Sequence, residues 1–200
     1  MGRALHPVAT VTTIPDPFQH EPVRRPQHLH LIALGLAVAV AAFVVAWLLA
    51  SGGSSGTPSA NSGPKIVSQA QLQHFAGSLD HPVYWVGPKH GFSYELTSGS
   101  GRVWVRYLPA GVTAGDPRAS FLVIGTYEQP HAYANLKRAT KRPGSVTRAI
   151  ADRGLLVYNA QRPTSVYFSY PGAGYQVEVF APSAETARSL VLAGETAPIK

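Results

Sequence analysis

Residues 92–108 read FSYELTSGSGRVWVRYL, two runs of aromatic and β-branched residues around a Ser-Gly repeat. Such runs favour extended backbone, and Ser98-Gly99-Ser100-Gly101 supplies turn residues, so the stretch predicts a β-hairpin. Alternation sorts its second run, with Val103, Val105 and Tyr107 on one face and Arg102, Trp104 and Arg106 on the other.

The same pattern recurs on both sides of this hairpin. Strands are predicted over 83–87 and 120–127, over 146–151 and 155–159 around Asp152-Arg153-Gly154, and over 164–170 and 174–180 around Pro171-Gly172-Ala173. Three helices separate them. Ser68 and Gln71 have capping-box spacing before an apolar face of Leu72, Phe75, Ala76 and Leu79. A second helix over 131–141, with contacts from Tyr133, Leu136 and Ala139 or Thr140, ends at Pro143-Gly144. Ser183 caps a third, whose Ala187, Leu190 and Val191 face inward before Gly194. Hairpins interleaved with helices predict an α+β domain, a mainly antiparallel sheet with about three helices on one face. A shift of 74 residues lays Val83, Tyr84, Val103 and Val105 on Val157, Tyr158, Val177 and Val179, the signal of a degenerate internal repeat.

Upstream, residues 29–50 read LHLIALGLAVAVAAFVVAWLLA and contain no Asp, Glu, Lys or Arg. A helix of that length extends about 33 Å, enough for a hydrocarbon core of ~30 Å, so one transmembrane helix is expected. Arg3, Arg24 and Arg25 precede it and no charge follows until Lys65, which by the positive-inside asymmetry keeps the N-terminus cytoplasmic. Preceded by 28 residues, the segment reads as an uncleaved signal-anchor in the plasma membrane. The proline-rich residues 1–28 read as a disordered cytoplasmic tail. Residues 51–64, SGGSSGTPSANSGP, read as a flexible linker with a reach of ~20 Å, and 65–200 as the extracytoplasmic domain.

Of the chain's net charge of +7, that domain carries +6 and the tail +1. The expected partners besides the lipid bilayer are therefore anionic headgroups, an envelope polymer or an acidic protein, and no nucleic acid in that compartment. With no cysteine, the domain has neither disulfides nor thiolate ligands and relies on burial for stability.

Motifs for chemistry are sparse. Within residues 65–200, no Gly-x-Ser-x-Gly elbow, His-x-x-x-His or His-Glu-x-x-His spacing, or phosphate loop occurs, so neither cofactor nor metal is expected. Asp80-His81 precedes Pro82 and reads as a turn and cap, while Glu95 and Glu178 alternate against apolar neighbours and read as a solvated β-face. Two clusters remain as binding candidates. Arg102, Trp104 and Arg106 place an indole between two guanidiniums, suited to an anion or to stacking on a sugar. Lys137, Arg138, Lys141 and Arg142 form like-charge i, i+4 pairs on the second helix, suited to anionic headgroups.

The strings YELT (94–97), GRVWVRYLP (101–109), RPTSVY (162–167) and YQVEV (175–179) resemble those of uncharacterised single-pass membrane-anchored envelope proteins of GC-rich actinobacteria. An excess of Arg over Lys, 12 to 5, accompanies the likeness. Covering residues 66 to 192, the resemblance implies the same anchor, linker and envelope-facing domain and carries no activity with it. The expected function is a tethered binding or accessory domain of the bacterial envelope. The alternative is an envelope hydrolase or transferase in which His81 or His90 works with a nearby carboxylate.

Overall fold

A computed structural model describes residues 62–200 of the chain. The expected tail, the transmembrane helix and all but the last three residues of the expected linker lie outside the described residues. Among the described residues, no helix is long and apolar enough to cross a membrane.

The elements run β1 (Ser62–Val67), α1 (Gln69–Gly77), β2 (Tyr84–Trp85), β3 (Phe92–Gly99), β4 (Arg102–Pro109), β5 (Leu122–Glu128), α2 (Ala132–Ala139), β6 (Ser145–Ile150), β7 (Gly154–Asn159), β8 (Arg162–Ser169), β9 (Tyr175–Phe180), α3 (Ala184–Leu192) and β10 (Ala197–Pro198). Eight strands form one antiparallel sheet in the order β1-β3-β4-β5-β9-β8-β7-β6, and β2 pairs with β10 in a separate ribbon. Among the described residues, the α+β class with three helices is thus present.

The opening hairpin is β3–β4, tighter than its four-residue turn signal: Ser100 and Gly101 alone make the turn, at φ of 51° and 69°. Positive φ at both central positions matches the twist of paired strands. Ser68 caps α1 by accepting from the Gln71 N–H, and the Gln71 side chain accepts from the Ser68 N–H. β1 was not foreseen; it draws Ser62, Gly63 and Pro64 out of the stretch read as linker and into the sheet edge.

Registers place one row of side chains across every strand of the sheet: Lys65, Leu96, Val105, Ile124, Val179, Val166, Tyr158 and Val146. Most of this row joins Leu72 and Ala76 of α1 and Ala187, Leu190 and Val191 of α3 in the principal core. The β2–β10 ribbon covers the same face, tied down by the Tyr84 N–H donating to Thr126 Oγ1 at 3.1 Å and the Tyr107 hydroxyl donating to the Gly87 carbonyl at 2.9 Å.

The helices are not all on this face, as the sequence reading had them. Ala132, Leu136 and Ala139 of α2 are buried yet stand outside the principal core, and α2 crosses β7, β8 and β9. It covers the opposite face. The physical reason is legible in the continuous run Leu155-Leu156-Val157: a strand apolar on both sides needs a cover on both sides.

The 74-residue shift lays β4 on β9, two strands that flank β5 in the sheet.

Candidate functional site

On the face that α2 partly covers, a second row crosses seven strands: Thr97, Trp104, Gly125, Glu178, Tyr167, Val157 and Thr147. Neighbouring strands are ~4.8 Å apart, so Trp104 and Glu178 flank the bare backbone of Gly125. Tyr127, two residues along β5, folds over that glycine. A Cβ at position 125 would lie 2.6 Å from the Tyr127 hydroxyl, so only glycine leaves room for the phenol.

A connected polar chain results. Trp104 Nε1–H donates to the Tyr127 oxygen at 3.1 Å, the Tyr127 hydroxyl donates to Glu178 Oε2 at 2.5 Å, and the Tyr167 hydroxyl donates to Glu178 Oε1 at 3.0 Å. The Trp104 and Tyr127 rings meet edge to face with centroids 5.9 Å apart. Glu178 is buried, as is Gln176 beside it, whose amide has no hydrogen-bond partner among the described residues. Burial pushes the Glu178 carboxyl up, and the bonds from Tyr127, Ser165 and Tyr167 pull it back without cancelling the rise. Burial and the neighbouring Glu178 charge raise both tyrosines well above their ordinary value. A desolvated acid and an unpartnered amide are costly as packing alone, and such local cost gathers at functional surfaces.

The sequence reading of Glu95 and Glu178 as a solvated β-face is therefore overturned: the two are 1 % and 6 % exposed. Their polarity is satisfied from within, Glu178 by two phenols and Glu95 by Arg106.

A pH signature follows. Because Glu178 titrates higher in the folded chain than in the unfolded one, the folded state holds its proton after the unfolded chain has released it. Its contribution to stability is complete below the ordinary value of 4.5 and is lost as pH rises through the elevated folded value. Urea unfolding across pH 4–8 is expected to show the wild type losing stability relative to Glu178→Gln as pH rises; a difference that stays flat or grows the other way contradicts the assignment.

The cluster Arg102, Trp104 and Arg106 is divided by this geometry. Arg106 is not available to a ligand. Its guanidinium pairs with Glu95 at 2.7 Å, donates to the carbonyls of Asp116 and Arg118, and lies over the Phe121 ring. That clamps residues 110–121 onto the sheet, helped by the Gly115 N–H, which donates to Glu95 Oε2 at 2.6 Å. Trp104 and Arg102 remain half-buried, and Arg102 has no ion-pair partner among the described residues.

The basic helix is shorter than expected. α2 stops at Ala139 with Thr140 as its cap, so Lys141 and Arg142 sit in the following turn and not at helical i, i+4 positions. All four cations, Lys137, Arg138, Lys141 and Arg142, are exposed, and Arg138 donates to Asn135. Because α2 packs on the Trp104 face, this patch and the Arg102–Trp104 pair lie on the same side of the sheet.

The histidines divide as well. His81 Nε2 is 2.9 Å from Glu128 Oε1, a partner the sequence did not suggest because 128 is remote from 81 in the chain. His90 and His131 are exposed. His74 lines an open groove of about 530 Å³ between α1 and β1, together with Lys65, Ile66, Gln71 and Phe75; neither His81 nor the Trp104 row borders it. Compared with family models, curated proteins and solved structures, the chain matches none of them.

Proposed function

We propose that this chain is a single-pass membrane-tethered domain of the bacterial envelope that binds an anionic component through the α2 face of its sheet, without catalysis. The anchor and its orientation rest on the charge-free segment 29–50 and its flanking arginines, the tether on the linker, and the envelope setting on the likeness to actinobacterial anchored proteins. The observation that carries the reading is that Arg102, Trp104 and the exposed Lys137, Arg138, Lys141 and Arg142 share one side of the sheet. A Gly/Ser-rich tether of the eleven residues 51–61 would have an r.m.s. reach of about 17–20 Å, which keeps such a face within reach of the outer leaflet.

Anionic headgroups are the first partner to test. Each basic residue near such a surface contributes about 1 kcal/mol, so reversing two of them weakens binding by at least roughly tenfold. A fragment of residues 62–200, which holds every described element, is expected to sediment with vesicles rich in phosphatidylglycerol and not with phosphatidylcholine vesicles. Lys137→Glu with Lys141→Glu is expected to abolish most of that binding, and raised salt to weaken it. Equal binding to both vesicle types, or no effect of the reversal, contradicts the reading.

The hydrolase or transferase alternative has one observation in its favour, the His81–Glu128 contact. Among the described residues, no hydroxyl contacts that imidazole, whose ring nitrogens face the Pro82 carbonyl and Glu128.

A further inference from the structure

We propose that Asp80, His81 and Glu128 together bind one divalent transition-metal ion, with Zn²⁺ the best match to the donor set. Asp80 and His81 come from the connection between α1 and β2, and Glu128 is the last residue of β5. One ligand atom from each lies within 4.8 Å of the others. Ligands in a tetrahedral shell with bonds of ~2.1 Å are roughly 3.4 Å apart, and the exposed Asp80 and Glu128 carboxylates have the freedom to close that difference.

The imidazole is already aimed. His81 Nδ1 is 3.2 Å from the Pro82 carbonyl, which only accepts, and Nε2 is 2.9 Å from Glu128 Oε1; with the Nδ1 hydrogen on that carbonyl, Nε2 and the carboxylate are two facing acceptors that a cation can bridge. A ring held through its far nitrogen by a backbone carbonyl is the orientation metal-binding histidines adopt. The His81 side chain is 11 % exposed, which fixes the ring further.

The Glu128 backbone is fixed at the end of β5, while its half-exposed side chain keeps the freedom to turn toward an ion. Its N–H donates to the Gly101 carbonyl at 2.7 Å, and a Cβ at position 101 would come 3.0 Å from its Oε2. The hairpin turn therefore leaves space for this carboxylate. Two carboxylates and a neutral imidazole carry a charge of −2, matched by a divalent ion. Nitrogen and oxygen donors suit Zn²⁺ better than Ca²⁺ or Mg²⁺, and three protein ligands leave a fourth position open to water or a bound group. This inference is independent of the anionic-face reading.

The test uses the full chain in detergent, titrated with Zn²⁺ against a chromophoric chelator and with Co²⁺ followed through its visible absorption. One ion per chain and a raised unfolding temperature are expected. His81→Ala and Glu128→Gln are each expected to weaken binding by at least about tenfold, and Asp80→Asn, at an exposed site that tolerates the change, to weaken it measurably. His74→Ala and His90→Ala are expected to leave it unchanged. Circular dichroism confirms that each variant is folded. Absence of stoichiometric binding, or binding that Glu128→Gln and Asp80→Asn leave intact, overturns the proposal.

Discussion

Arg106→Ala is expected to lower the unfolding free energy by about 3–5 kcal/mol, the cost of removing one partner from a buried ion pair. The Glu95 side chain is 2 % exposed and that of Arg106 18 %, so alanine at 106 strands a carboxylate away from water. The same change releases the carbonyls of Asp116 and Arg118 and the Phe121 ring, loosening residues 110–121. Denaturant titration checks this, with Arg102→Ala as the control. Arg102 shares the face but has no ion-pair partner among the described residues, so its loss is expected to cost no more than about 0.5 kcal/mol. Replacing both members, Glu95→Leu with Arg106→Met, is expected to recover most of the loss, because the stranded charge goes too. Equal stability of the two single arginine variants contradicts the clamp.

Gly125→Ala is expected to cost about 3 kcal/mol, combining overpacking of about 1–3 kcal/mol with lost bonds to a buried acid of similar size. The new methyl would sit 2.6 Å from the Tyr127 hydroxyl and 2.8 Å from its Cζ, so the phenol has to leave. Glu178 then loses its shortest hydrogen bond and Trp104 loses its acceptor. Tyr127→Phe removes the same bonds without the steric clash, so it is expected to cost less. Both variants are expected to shift the Trp104 indole N–H resonance. An unshifted indole signal in Gly125→Ala contradicts the chain from Trp104 to Glu178.

Much of the strand layout was legible because its determinants are local. The Ser100-Gly101 turn, the Ser68–Gln71 capping box and the inward positions Leu72, Ala76, Ala187, Leu190 and Val191 follow from short-range spacing. What lay beyond reach depends on cover arriving from elsewhere in the chain. Alternation puts Glu95, Trp104, Arg106 and Glu178 on one face; it does not say that residues 110–121 and α2 will close over parts of it. Hence two acids read as solvated are buried, and an arginine read as a binding group is a strut. His81 and Glu128 escaped for the same reason, since only the sheet brings a residue before β2 to the end of β5. The run Leu155-Leu156-Val157 did carry a signal for the second covered face.

The anionic-face reading is tested most directly by mapping backbone and indole N–H resonances of residues 62–200 during titration with a soluble short-chain phosphatidylglycerol. Shifts are expected to gather at Arg102, Trp104 and residues 137–142, saturating together and fading as salt is raised. Shifts gathered on α1, α3 or the β2–β10 ribbon, or none under conditions where the fragment is folded, contradict it.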